Sequence, residues 1–193
     1  MYKKQMILQR ITSFLLLAGA VLVFVYSLGF MTDLYNSLYY VSKFKETHRN
    51  FVEGSYIYRD IQPFNQQLTT AGIILILSAV SLFVFRSSDR RRYYIANYLT
   101  IGVNAVLNIA VSVWALTNVI AYKAQFQAID FVKLEEVANI YNIKYTTSTF
   151  WFDISLAVFI PLLILTAVSI GNLIWKTILM HAEKKLIEEG REA

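Results

Sequence analysis

The stretch that decides the fold is ANYLTIGVNAVLNIAVSVWALTNVIAY, Ala96 to Tyr122. It is apolar enough to lie in a membrane, yet it holds Asn97, Asn104, Asn108 and Asn118. An unpaired amide in hydrocarbon is costly, so these four need partners. Stepping about 100° per residue from Asn104, Asn97 falls near 20°, Asn108 near 40° and Asn118 near −40°. The asparagines therefore share one stripe. Leu99, Val106, Ile109, Val113 and Ile120 lie opposite. This predicts a two-faced helix with lipid on one side and protein or water on the other.

The rest of the chain repeats the apolar character. It has 193 residues, 56% hydrophobic and 16% charged, with mean hydropathy +0.47, whereas soluble domains carry about 25% charged residues. Crossing a ~30 Å hydrocarbon core takes roughly 20 helical residues. Four runs meet that length, at about 11–30, 68–86, 97–121 and 151–176. The first follows Lys3, Lys4 and Arg10 as a signal peptide would, but its apolar stretch outruns a typical h-region. It reads as a retained helix. The expected fold is an all-α integral membrane protein, one domain built as a four-transmembrane-helix bundle.

Alternating the connections between two sides places 1–10, 86–96 and 176–193 together, with eleven Lys/Arg in 39 residues. Segments 31–68 and 122–150 share the other side, with seven in 67. The positive-inside rule then puts both termini, the loop 86–96 and the tail 177–193 in the cytoplasm. RSSDRRRYY is the strongest vote. The net charge of +5 is thus read as topology and attraction to anionic lipids at the cytoplasmic face, with no nucleic-acid partner. Tyr93, Tyr94, Tyr98 and Trp175 fall near the inner interface, and Phe150, Trp151 and Phe152 near the outer one.

The segments 31–68 and 122–150 are too long for hairpins and too aromatic for disorder, which predicts a small extracellular cap. In the first, GSYIYRDIQPF alternates like a short strand between Gly54 and Pro63; strand and loop both fit. In the second, AIDFVKLEEVANIYNI predicts an amphipathic helix. Asp130 caps it, Ile129 staples onto Leu134, and Phe131, Leu134, Ala138 and Tyr141 share a face. Tyr56, Tyr58, Arg59, Asp60, Trp151 and Asp153 are the candidate extracellular binding residues, beside a plain structural reading in which the rings pack the cap on itself and Asp153 caps the fourth helix.

Two accounts of the asparagine stripe stand. Each amide bonds a neighbouring helix, in this chain or a partner, for roughly 0.6–2 kcal/mol; Ser13, Ala20 and Ser27 on the first helix and Ser155, Thr166 and Ser169 on the fourth offer close-approach faces. Alternatively the stripe lines a polar conduit. No ionisable residue sits mid-span, whereas proton- or ion-coupled transport usually needs one. Pro161 predicts a bend in the fourth span.

Enzyme readings find little. There is no cysteine, which removes disulfides and thiol chemistry. His48 and His181 fall on opposite sides, and no Walker, G-x-G-x-x-G or H-E-x-x-H motif occurs. No catalytic residue, cofactor or metal site is expected. The plan is similar to that of tetraspanins and claudins, four helices with both ends inside and two structured outer segments. The claudin W-G-L-W and the cysteines of both families are missing, so the similarity is topological and supplies no function. The expected function is a non-enzymatic accessory subunit of a larger membrane assembly such as a transporter. The alternative is a small oligomeric transporter or channel. Low proline and absent cysteine fit a multi-pass protein of a bacterial plasma membrane.

Overall fold

The computed structural model describes residues 2–30, 32–86, 88 and 94–192. They form α1 (Tyr2–Gly29), α2 (Thr32–Val41), α3 (Ile57–Val84), α4 (Ile95–Gln127), α5 (Phe131–Tyr141) and α6 (Phe150–Glu192). Four of these, α1, α3, α4 and α6, are long and apolar enough to cross a membrane, and they pack as a bundle. The arginine-rich turn falls mostly outside the described residues, which omit Ser87 and 89–93.

The helices outrun the apolar runs. Lys3, Lys4, Gln5 and Gln9 propagate helix without a breaker, so α1 begins at Tyr2. Likewise α6 continues to Glu192, about 65 Å at 1.5 Å per residue. Pro161 lies within α6, and helix continues on both sides of it.

The strand or loop expected over GSYIYRDIQPF is instead a turn followed by helix. Gly54 takes φ +81° against the Ile129 backbone, a conformation costly for any residue with a Cβ. From Ile57 onward the helical period wins. It puts Ile57, Tyr58, Ile61, Phe64 and Leu68 on one buried face, where an alternating strand would have exposed some of them. Pro63 stays on the exposed side.

The chain divides into two compact units, and each long helix contributes to both. Unit 2, residues 22–72 and 113–159, has an aromatic interior. Phe30, Phe64, Phe126, Phe152 and Phe159 are buried. Phe30 meets Phe152 at 5.3 Å edge-on, Phe126 meets Phe152 at 5.3 Å, and Phe64 meets Trp114 at 5.0 Å. Such pairs add about 0.5–1.5 kcal/mol each beyond area burial. In the same unit α5 packs on α2. The Asp130 side chain accepts from the Lys133 N–H at 3.1 Å and caps α5 as expected. Leu134 and Ala138 are buried with Val137, while Tyr141 is exposed. The Asp130 N–H donates to the Glu53 carbonyl at 3.3 Å, joining the two segments.

Unit 1, residues 1–21, 73–112 and 160–193, is built differently. Leu16, Ala20, Leu75, Ala79, Leu82, Ile101 and Leu162 form its apolar core. Beside them lies a large set of buried polar groups.

Candidate functional site

Within unit 1 the third spanning helix, α4, presents Asn97, Asn104 and Asn108 inward, each at most 2% exposed. Leu99, Val106, Ile109, Val113 and Ile120 of α4 are all exposed, as a lipid-facing side requires. The amides connect. Asn108 Nδ2 donates to the backbone carbonyl and Oδ1 of Asn104 at 2.8 and 2.9 Å. Asn104 Nδ2 donates to Ser78 Oγ of α3 at 3.0 Å. Asn97 Oδ1 accepts from Lys176 Nζ of α6 at 2.8 Å. Asn118 departs from the other three. It lies in unit 2, is partly exposed, and its amide bonds the Trp114 carbonyl of its own helix. The wheel explains this: Asn118 is at one edge of the stripe, and Ser112, near 80°, is buried at the other.

By hydropathy Lys176 falls among the cytoplasmic charges, because the apolar run ends at Trp175. In the structure it is 0% exposed. Its ammonium sits 4.4 Å from the Tyr98 ring centroid, and no carboxylate pairs with it among the described residues. Gln5, Gln9 and Asn172 are buried too. Their side chains, with Asn97, Asn108 and Ser112, include polar atoms that have neither solvent contact nor a hydrogen-bond partner. Sequence reasoning missed this group, although the signal was present. Asn172 and Lys176 extend the Ser155, Thr166 and Ser169 face, and Gln5 and Gln9 extend the Leu16 and Ala20 face, at helical spacing.

The register of α1 and α6 brings these groups to common levels. In unit 1 a methyl at Gly19 would lie 2.9 Å from Leu162, and in unit 2 Gly29 lies against Trp151. Numbers that rise on one helix fall on the other, so the two are antiparallel. Counting along each helix from the Gly19–Leu162 contact, the helical rise carries Gln9 toward Asn172 and Gln5 toward Lys176. From Asn97–Lys176, seven residues along each helix, Asn104 is level with Ser169.

The hydroxyls on the faces expected to allow close approach turn to their own helices. Ser13, Thr12 and Thr166 are buried but donate to carbonyls of their own helices, which spends the hydroxyl proton locally. Ser27 likewise donates to the Phe24 carbonyl of its own helix, at 2.7 Å, and its Oγ also lies 3.0 Å from the Thr69 hydroxyl of α3.

The residues expected to bind on the outer side all lie in unit 2. Tyr58 is buried and meets Tyr39 at 5.6 Å. Arg59 donates to the Ser42 carbonyl and lies over the Tyr56 ring. Asp60 supplies its backbone carbonyl to Tyr122 Oη. Trp151 accepts, through its carbonyl, from Tyr26 Oη at 3.1 Å. Asp153 is three residues inside α6 rather than at its cap, and binds Lys123 Nζ and Thr149 Oγ1. Among the described residues no group of three or more His, Cys, Asp or Glu gathers as a metal would need.

Comparison with protein-family models, with curated proteins and with solved structures returns no match to this chain.

Proposed function

We propose that this chain is a non-enzymatic multi-pass membrane protein that serves as an accessory or interaction subunit of a larger membrane assembly, such as a transporter. One observation carries the reading. On unit 2, Tyr40 and Tyr141 stand 6.2 Å apart and are 47% and 41% exposed. They border a cavity of about 340 Å³ with Asn142, Ile143 and Lys144, and Val132 and Ile140 of α5 are exposed. Exposed aromatic and aliphatic side chains grouped in this way mark interaction surfaces, and tyrosine is enriched among residues that dominate binding.

In this reading both termini are cytoplasmic, the 31–68 and 122–150 segments form the extracellular cap, and the membrane is a bacterial plasma membrane. The charge distribution supports it. So does a cavity of about 280 Å³ where Lys3, Arg10 and Arg86 meet Met6 and Ile7, a lining suited to an anionic lipid. Purification in mild detergent followed by native mass spectrometry tests the proposal. A co-purifying membrane chain should appear, and Tyr40→Ala with Tyr141→Ala should release it without unfolding the protein. A strictly monomeric wild type would count heavily against the proposal.

The second reading is a small oligomeric transporter or channel. The unpartnered buried amides of unit 1 favour it, since a bundle built only for packing satisfies such groups. Asn104→Leu with Asn108→Leu separates the two. Lost flux in a folded, assembled protein supports a conduit, whereas lost stability supports packing.

A further inference from the structure

Among the described residues, the buried polar groups of unit 1 include one cation with no counter-charge, set among amides whose unpartnered atoms are donors and acceptors alike. An ammonium only donates, so the Lys176–Asn97 bond fixes which way the Asn97 carboxamide points. Its oxygen faces Lys176. Its Nδ2 group, on the same carboxamide and so beside the ammonium, is buried and unpartnered. Gln5 and Gln9 of α1, one turn apart, are buried in the same unit, and both the Nε2 and the Oε1 of each are unpartnered, so either amide is free to present its donor. A buried charge is tolerated when it is paired; this one has the Asn97 oxygen and the Tyr98 ring as neighbours but no carboxylate among the described residues.

There is also an approach. Tyr98, whose ring lies under Lys176 Nζ, lines a cavity of about 440 Å³ with Thr177, Met180, His181 and Lys184. Among the described residues that line it none is acidic.

We propose that unit 1 holds an anion-binding site. The Lys176 ammonium, with the Asn97 Nδ2 and the Gln5 and Gln9 amides as further donors, takes an anionic oxygen group, a carboxylate or phosphate, that approaches through the cavity beside Tyr98. The donor set recognises the oxygens, so a free anion and a phospholipid headgroup present the same chemistry. This site is separate from the unit 2 surface on which the proposed accessory role rests.

The test uses the full chain in nanodiscs of zwitterionic phosphatidylcholine. Inorganic phosphate and acetate are titrated against chloride at constant ionic strength, and a third arm adds phosphatidylglycerol to the bilayer. At least one arm should raise the unfolding midpoint of the wild type saturably; the soluble arms and the lipid arm identify the source. Lys176→Met should abolish the rise. Its midpoint without added anion should not fall below that of the wild type, because an apolar chain of similar volume replaces an unpaired buried charge. Gln5→Leu should weaken apparent affinity by roughly tenfold to a hundredfold, the worth of a hydrogen bond to a charged group. Lys144→Gln, in unit 2, should leave it unchanged. No saturable rise in any arm of the wild type overturns the proposal, as does a full rise in Lys176→Met. Should that variant not fold, an unaltered affinity in Gln5→Leu has the same force.

Discussion

Asn104 shows how much depends on single amides. It accepts from Asn108 and donates to Ser78, so it joins two turns of α4 to α3. Asn104→Leu breaks the link and leaves the Asn108 Nδ2 with only a backbone acceptor. The cost should be about 1–2 kcal/mol, read as a midpoint lowered by roughly 2–4 °C per kcal/mol in thermal unfolding. Asn118→Leu should cost less, because that amide bonds only its own helix and is partly exposed. Four asparagines that look alike in the sequence are thus expected to separate in a stability assay. The wheel made the inward direction of Asn97, Asn104 and Asn108 legible. It could not show that Lys176 reaches Asn97 from another helix, 79 residues away. Hydropathy registers a lysine at the end of an apolar run as solvated, and only a neighbour's position reveals it to be covered.

Among the elements, α5 and the end of α6 mark opposite extremes. α5 has 11 residues, too few to hold a helix alone in water, and depends on its cap and on α2. Asp130→Ala removes the acceptor for the Lys133 N–H and should cost about 0.5–2 kcal/mol. Hydrogen exchange should show faster loss of protection at 131–134 than in α4. The end of α6 makes few demands on the fold. Its exposed Lys184–Glu188 and Lys185–Glu189 pairs, at 3.7 and 3.8 Å, are worth about 0.3–0.5 kcal/mol each. Deleting 185–193 should leave the unfolding midpoint within about 4 °C, at the 2–4 °C per kcal/mol of a chain this size. The apolar runs announced all four long helices, and α5 was readable from its cap and periodicity. The start of α3 was not, because Tyr56, Tyr58 and their neighbours satisfy a two-residue period and a helical one alike, and burial against the rest of unit 2 selects between them.

For the whole molecule the testable property is orientation. The chain contains no cysteine, so single cysteines can be introduced without a background. With Asn139→Cys in α5 and Gly190→Cys near the end of α6, a membrane-impermeant maleimide added to intact cells should label the first at once. The second should label only after permeabilisation. The reverse pattern would overturn the proposed topology.

By itself the sequence determined the all-helical class, the four long apolar segments and the inward direction of three asparagines. Each follows from hydrophobicity and period along one helix, which are local properties of the chain. Tertiary structure alone decided that Gln5, Gln9, Asn97, Asn172 and Lys176 share the interior of one unit, and that an aromatic core fills the other. Those facts depend on packing between helices that lie tens of residues apart in the chain or, for α1 and α6, more than a hundred, and no local pattern encodes which residues will meet once the helices pack.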